Sequence, residues 1–317
     1  MTGKDGIRAR CLRASRKILC LTQRPDTSDT IAHHHEVPAE PKRQPGHARD
    51  NDLRQHHHEA TAESGAYVYI LDTGIDISHD ELSGRAIYGA NFIPRSPDFD
   101  ECGHGTNMAE IIGGKTYGVA ENCTIISVKI VGKDGRGKMS HVTKGIQWVI
   151  QDAARRGASD RSVINISLRG PYHPGINHAV KMATNAGITV VVAAGNDAKF
   201  ACAYSPASAS TAITVAETGP DGCRRPWSNY GPRVNVFALG SSIPTASIVA
   251  GSGRRYGTGT SVAAAYVSGL AAHFISSGNL RGYKAVRSRI LSVASKGVVK
   301  DPRCSRNLLV FNGVLRN

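Results

Sequence analysis

The sequence predicts an α/β domain: a mostly parallel sheet with helices on both faces. Two observations carry this. Several runs rich in Val and Ile lack in–out alternation, as strands covered on both sides do. Segments of helical period separate those runs, and strand–helix alternation builds parallel sheets. Composition agrees. With 40% hydrophobic and 20% charged residues the chain is globular, not collagen-like or wholly disordered. In order, strands are expected at 67–71, 124–130, 163–168, 189–194, 213–215 and 234–237. Helices are expected at 107–112, 140–156, 176–186 and 261–276. Near the end Tyr283, Val286, Ile290 and Val293 share one helical face, with Arg281, Lys284 and Arg287 on another. In such sheets function gathers at the C-terminal ends of strands.

The 317 residues carry 39 Lys and Arg against 25 Asp and Glu, a net charge of +14. Residues 281–317 hold nine basic side chains and one acidic. A basic surface can mark a nucleic-acid partner. No binding motif accompanies this one, so a solvated helix face is the better reading and no nucleic acid is expected. The longest apolar runs, such as 262–267, are about six residues, too short to cross a bilayer. Residues 1–64 are polar and hold seven of the 13 His, including the triplets His33–His35 and His56–His58. No Cys, Asp or Glu set at ligand spacing supports a metal there, so low-complexity, disordered sequence is expected. The remainder, 65–317, matches one domain of about 250 residues. The apolar stretch 18–21 is shorter than the roughly 7–15 residues of a secretory core, so no signal peptide is expected. The seven Cys form no Cys-x-x-Cys pair, which makes zinc and thioredoxin-like readings poor.

Four strand-end motifs supply chemistry. Asp72-Thr73-Gly74 places a carboxylate at a strand end. Gly103-His104-Gly105-Thr106 leaves an imidazole uncovered before a helix. Gly259-Thr260-Ser261 delivers a hydroxyl to a helix start, where the backbone N–H and helix dipole favour an oxyanion. Ala194-Gly195-Asn196 offers a side-chain amide. A serine hydroxyl needs an adjacent base, and the base needs an acid to fix its tautomer. Each piece is ambiguous alone; together they provide nucleophile, base, orienting acid and oxyanion donor.

With these motifs in the order Asp, His, Asn, Ser, and with Tyr204-Ser205-Pro206-Ala207-Ser208 and Trp227-Ser228-Asn229-Tyr230-Gly231 between them, the chain resembles subtilisin-like serine proteases of the proteinase K branch. The likeness covers about residues 65–275. It implies a three-layer fold with a mostly parallel sheet of about seven strands. It also implies a serine endopeptidase working through an Asp72–His104–Ser261 triad and an acyl-enzyme. Asn196 and the Ser261 N–H would form the oxyanion hole. Ser167, Leu168, Arg169 and Gly170 would flank a bound peptide on one side, and Gly135, Arg136 and Gly137 on the other. Ala194 and Gly195 would border the substrate, and Met139 would line a pocket for an upstream residue. Protein or peptide substrates, a monomer and an extracellular setting follow from the resemblance. No cofactor is required for the chemistry. An inhibitory propeptide is also implied, but 1–64 is too short and too polar to supply signal and propeptide together.

Departures from the family pattern qualify this. Asn107 replaces a His, Glu110 a Gly, Ala265 a Pro and Arg169 a Gly. Arg169 predicts reduced activity toward bulky apolar residues. Asn235 replaces a calcium-binding Asp, so a structural calcium would be weakened. Cys202 stands where relatives place a disulfide cysteine, while Arg233 replaces its usual partner. Two alternatives stay open: Cys223 is the partner, or Cys202 is free. The alternative function is a catalytically impaired member of the family acting as a binding or regulatory protein.

Overall fold

A computed structural model describes residues 29–32, 65–82, 84–246 and 254–310. The strands are β1 (Thr30–Ala32), β2 (Ala66–Asp72), β3 (Ala86–Asn91), β4 (Cys123–Lys129), β5 (Arg136–Lys138), β6 (Ser162–Ile166), β7 (Gly170–Pro171), β8 (Thr189–Ala193), β9 (Tyr204–Ser205), β10 (Ile213–Thr218), β11 (Val236–Leu239), β12 (Ile243–Ala246), β13 (Arg254–Gly257), β14 (Ser295–Lys296) and β15 (Leu308–Leu309). The helices are α1 (His104–Gly113), α2 (Met139–Arg155), α3 (Pro174–Asn185), α4 (Thr260–Ser276) and α5 (Tyr283–Val293).

Nine strands form the main sheet, in the order β14-β15-β11-β10-β8-β6-β2-β4-β3. From β11 to β3 every neighbouring pair is parallel. The seven strands match the number expected, and six of them fall on the expected runs. The short β15 joins β11 in parallel and β14 joins β15 antiparallel, which adds an edge the sequence did not announce. β3 was also not foreseen: it is a half-exposed edge strand interrupted by Gly89, without the Val/Ile run of the central strands.

Side chains along β2 alternate between two cores, as a strand's period of two requires. Val68 and Ile70 pack with Met108 and Ile112 of α1 and Val267 and Ala271 of α4. Tyr69 and Leu71 pack with Val142 and Ile146 of α2 and Val180 and Ala183 of α3. Both faces are therefore covered, which is why the run reads as continuously apolar. α4 is apolar nearly all round because it lies inside, with Val262 through Ala265 and Val267 through Ala272 buried. α5 lies as its stripe predicts, with Val286 and Ile290 buried and Lys284 exposed. Arg281 is not simply solvated: it donates to the carbonyls of Ile275 (3.1 Å) and Leu280 (3.1 Å), where a cation meets the negative end of α4.

Residues 30–32, inside the segment expected to lack order, form β1. The rest of 1–64, including both His triplets, lies outside the described residues. Among the described residues no helix is long and apolar enough to cross a membrane.

Candidate active site

β8, β6 and β2 are neighbours, and their C-terminal ends carry Asn196, Ser167 and Asp72. Asp72 is fully buried. Its Oδ1 accepts the Thr73 N–H (2.8 Å) and lies 2.7 Å from Nδ1 of His104. A carboxylate on Nδ1 fixes the tautomer that leaves Nε2 as the basic nitrogen. His104 opens α1. Gly105 must be glycine, because a Cβ there would lie 2.1 Å from the Gly74 carbonyl oxygen and 3.2 Å from the Asp72 Cβ.

Asp100, which the motifs did not reveal, builds this corner. Its Oδ1 accepts the Thr73 hydroxyl (2.8 Å) and the N–H groups of Cys102 (2.9 Å) and Gly103 (2.8 Å). Its Oδ2 accepts the Thr106 N–H (2.9 Å) and hydroxyl (2.7 Å). The Thr73 hydroxyl in turn accepts the Gly105 N–H at 2.9 Å. One buried carboxylate thus caps the start of α1 and ties it to the residue beside Asp72. An acid four residues before the Gly-His-Gly-Thr histidine was the available signal.

Ser261 sits in the first turn of α4. Its hydroxyl donates to the Ser167 carbonyl (2.9 Å), and the Ser167 hydroxyl donates to the Ser261 carbonyl (3.0 Å). Asn196 is oriented by Thr260, whose N–H (3.1 Å) and hydroxyl (2.8 Å) both donate to its Oδ1. That leaves the Nδ2 hydrogens as the free end of the amide. Gly259 adopts φ +142°, and a Cβ on it would lie 3.1 Å from Asn196 Nδ2. Asn229, quoted in a motif but given no role, clamps the same loop. It donates to the Ala194 carbonyl (2.8 Å) and accepts the N–H groups of Asp197 (3.0 Å) and Lys199 (2.9 Å).

The cleft expected between the two peptide-binding segments holds the chain's own β1. Ala32 and Arg169 exchange backbone hydrogen bonds at 2.9 and 3.1 Å. On the other side β1 pairs antiparallel with β5, setting Ile31 opposite Gly137. Ile31 is fully buried in the cluster that also holds Met139 and Leu168. A Cβ on Gly170 would lie 2.9 Å from the Thr30 carbonyl oxygen. Gly135 differs from expectation. It lies in the turn before β5 at φ +73°, donates to Gly132 O (2.9 Å), and takes no part in the pairing.

The other departures resolve as follows. Glu110 is 3% exposed; its Oε1 lies 3.3 Å from His79 Nδ1 without a hydrogen bond to it, and that nitrogen accepts the Glu81 N–H. Asn107 is buried and its Oδ1 has no hydrogen-bond partner. Arg169 pairs with Asp197 and lies over the Tyr204 ring, 4.8 Å from its centroid. Asn235 Oδ1 accepts the Thr214 N–H at 2.8 Å, and among the described residues no group of three His, Cys, Asp or Glu could hold a metal ion. Both cysteine alternatives are overturned: Cys202 is disulfide-bonded, as is Cys304, while Cys223 is a free thiol. Their segments meet at Tyr230, whose carbonyl accepts the Ala201 N–H (2.9 Å) and whose ring lies 5.3 Å from the Arg303 guanidinium. That approach, between residues far apart in sequence, is invisible to spacing.

Residues 63–308 match the model of the subtilase family. The chain belongs to the subtilase family. Among curated relatives it is 46% identical over 256 residues to subtilisin-like protease 1 of Pseudogymnoascus destructans, covering 81% of this chain and 63% of that protein. It is 37% identical over 262 residues to subtilisin-like protease CPC735_013710 of Coccidioides posadasii, covering 83% and 64%. The chain therefore spans less than two thirds of these relatives' length. Among solved structures, a cold adapted subtilisin-like serine proteinase aligns with a TM-score of 0.74 at 33% identity, covering 84% of this subtilase and 98% of that chain.

Proposed function

We propose that the chain is a serine endopeptidase acting on protein or peptide substrates. The observation that carries this is the buried Asp72–His104 pair at the C-terminal end of β2, beside the end of β6 where Ser261 is held against Ser167. For reaction the Ser261 hydroxyl leaves the Ser167 carbonyl and gives its proton to His104 Nε2 as Oγ attacks the scissile carbonyl carbon. The oxyanion accepts hydrogen bonds from Asn196 Nδ2 and the Ser261 N–H, each such donor being worth about 2.7–4 kcal/mol. His104 then protonates the leaving amine, and water, deprotonated by His104, releases the acyl group.

The seating of β1 supports a substrate register. A peptide pairing one residue with Arg169, antiparallel as Ala32 does, sets the residue two positions later opposite Ser167. The carbonyl of that later residue is the one presented to Ser261. Its side chain enters a pocket bounded by Leu168, Arg169, Ala193 and Gly195. Because Asp197 already balances the Arg169 charge and the Arg169 Cδ lies over Gly195, this reading favours small residues there over bulky apolar ones. An extracellular site of action belongs to the same proposal.

The test is labelling with a fluorophosphonate probe. Folded wild type should label and Ser261→Ala should not. Absence of Ser261-dependent labelling overturns the peptidase reading in favour of a binding protein. Equal cleavage after Phe and Ala in a peptide library overturns the small-residue preference.

A further inference from the structure

β10 carries a carboxylate that the hydrolytic steps do not use. Glu217 is fully buried, with its Oε2 accepting the Trp227 indole N–H (2.7 Å) and its Oε1 accepting the Ser241 hydroxyl (2.8 Å). Its own N–H donates to the Ser228 hydroxyl at 3.0 Å. The side chain is thus held at both oxygens and at its backbone.

What it touches leads to the oxyanion hole. Ser241 follows Gly240, whose carbonyl accepts the Gly259 N–H at 2.9 Å. A Cβ on Gly240 would lie 2.8 Å from Glu217 Cγ and 2.7 Å from the Gly259 carbonyl oxygen, so glutamate stem, Gly240 and Gly259 are stacked in contact. Gly259 abuts the Asn196 amide, and the next residue, Thr260, orients it. One unbroken chain of packed and hydrogen-bonded atoms runs from Glu217 to the amide and to the N–H of Ser261.

We propose that Glu217 is a positioning residue: with Ser241 it clamps Gly240 against Gly259 and so fixes the two oxyanion donors, Asn196 and the Ser261 N–H. The inference rests on the serine peptidase reading. Catalysis by fixed donors depends on their not having to reorganise as charge develops, so a clamp behind them acts on kcat rather than on substrate affinity.

Burial pushes the Glu217 carboxyl up to about 7, opposed by the hydrogen bonds from Ser241 and Trp227, by Arg225 and by the Gly259 N–H. Arg225 is the charged group facing it; that guanidinium donates to the Ser241 hydroxyl oxygen (2.9 Å) and pairs with Asp221 (3.4 Å). The groups facing it from beyond β11 and from the start of α4, Ser241 and Gly259, carry no charge. Near neutral pH the clamp therefore passes between an ionised form that accepts from both partners and an acid that must donate one proton.

The test joins kinetics to the fluorescence of Trp227, one of two tryptophans in the chain. In Trp148→Phe/Ser261→Ala protein, the emission should titrate with a midpoint near 7, and Glu217→Gln should abolish that titration. In active protein, Glu217→Gln and Ser241→Ala should each lower kcat by about tenfold with KM changed less than about twofold, the pattern of a lost transition-state interaction. Glu217→Gln should also remove the matching ionisation from the kcat profile. If wild type labels at Ser261 and both variants keep wild-type kcat, the positioning role is overturned alone. If wild type does not label, the peptidase reading falls and takes the role with it.

Discussion

Two buried acidic corners of this sheet are held by different kinds of donor. At the end of β2, Asp72 and Asp100 accept backbone N–H groups, threonine hydroxyls and an imidazole. At β10, Glu217 is equally buried but accepts one indole N–H and one hydroxyl at its side chain. The first corner spends peptide dipoles on its carboxylates, including those at the positive end of α1. The second has few dipoles to offset desolvation, and burial lifts its carboxyl toward neutrality. Glu217, with few such donors, is the acid that burial makes titratable near neutral pH.

The largest effect should come from Asp72→Asn. It keeps the shape but cannot hold the His104 tautomer, and kcat should fall about 10⁴-fold. Peptide hydrolysis at saturating substrate measures it, and a loss under tenfold would remove Asp72 from the orienting role. Next is Asp100→Ala, which strands N–H groups of Cys102, Gly103 and Thr106 together with two hydroxyls. Chemical denaturation of the Ser261→Ala protein should show a loss of at least about 4 kcal/mol. The smallest concerns Glu217. Burial raises its carboxyl from 4.5 to about 7, so between those values the native state binds a proton the unfolded state has released. Stability from this group is full below 4.5 and is lost as pH rises through 7, by about 3 kcal/mol. Glu217→Gln should flatten that slope in thermal melts, and an unchanged slope would place the titrating group elsewhere.

Much of this was legible in the sequence because it is local. The Val/Ile runs gave six of the seven parallel strands, and Asp72, His104, Asn196 and Ser261 each sit in a short turn of distinctive residues. What escaped depends on distant partners. Asp100 looks like any loop acid until Thr73, 27 residues earlier, reaches it. Glu217 gains its meaning from Ser241, 24 residues on, and from Gly259 beyond. Arg233, standing in a usual cysteine position, could not reveal that Cys202 would be bonded while Cys223 stayed free. The strand at 30–32 escaped for another reason. Its side chains are unremarkable for a loop, and only the vacancy between β5 and Arg169 makes a strand of them.

That strand gives the molecule a tethered competitor. A segment of the same chain meets the cleft at an effective concentration set by its tether rather than by the bulk solution. A peptide arriving from solution must outbid it, with an apparent affinity scaled down by the fraction of clefts left open. Ile31, fully buried in the cluster that holds Met139 and Leu168, adds to the cost of displacing the strand. Displacing the strand returns one fully buried isoleucine side chain to water.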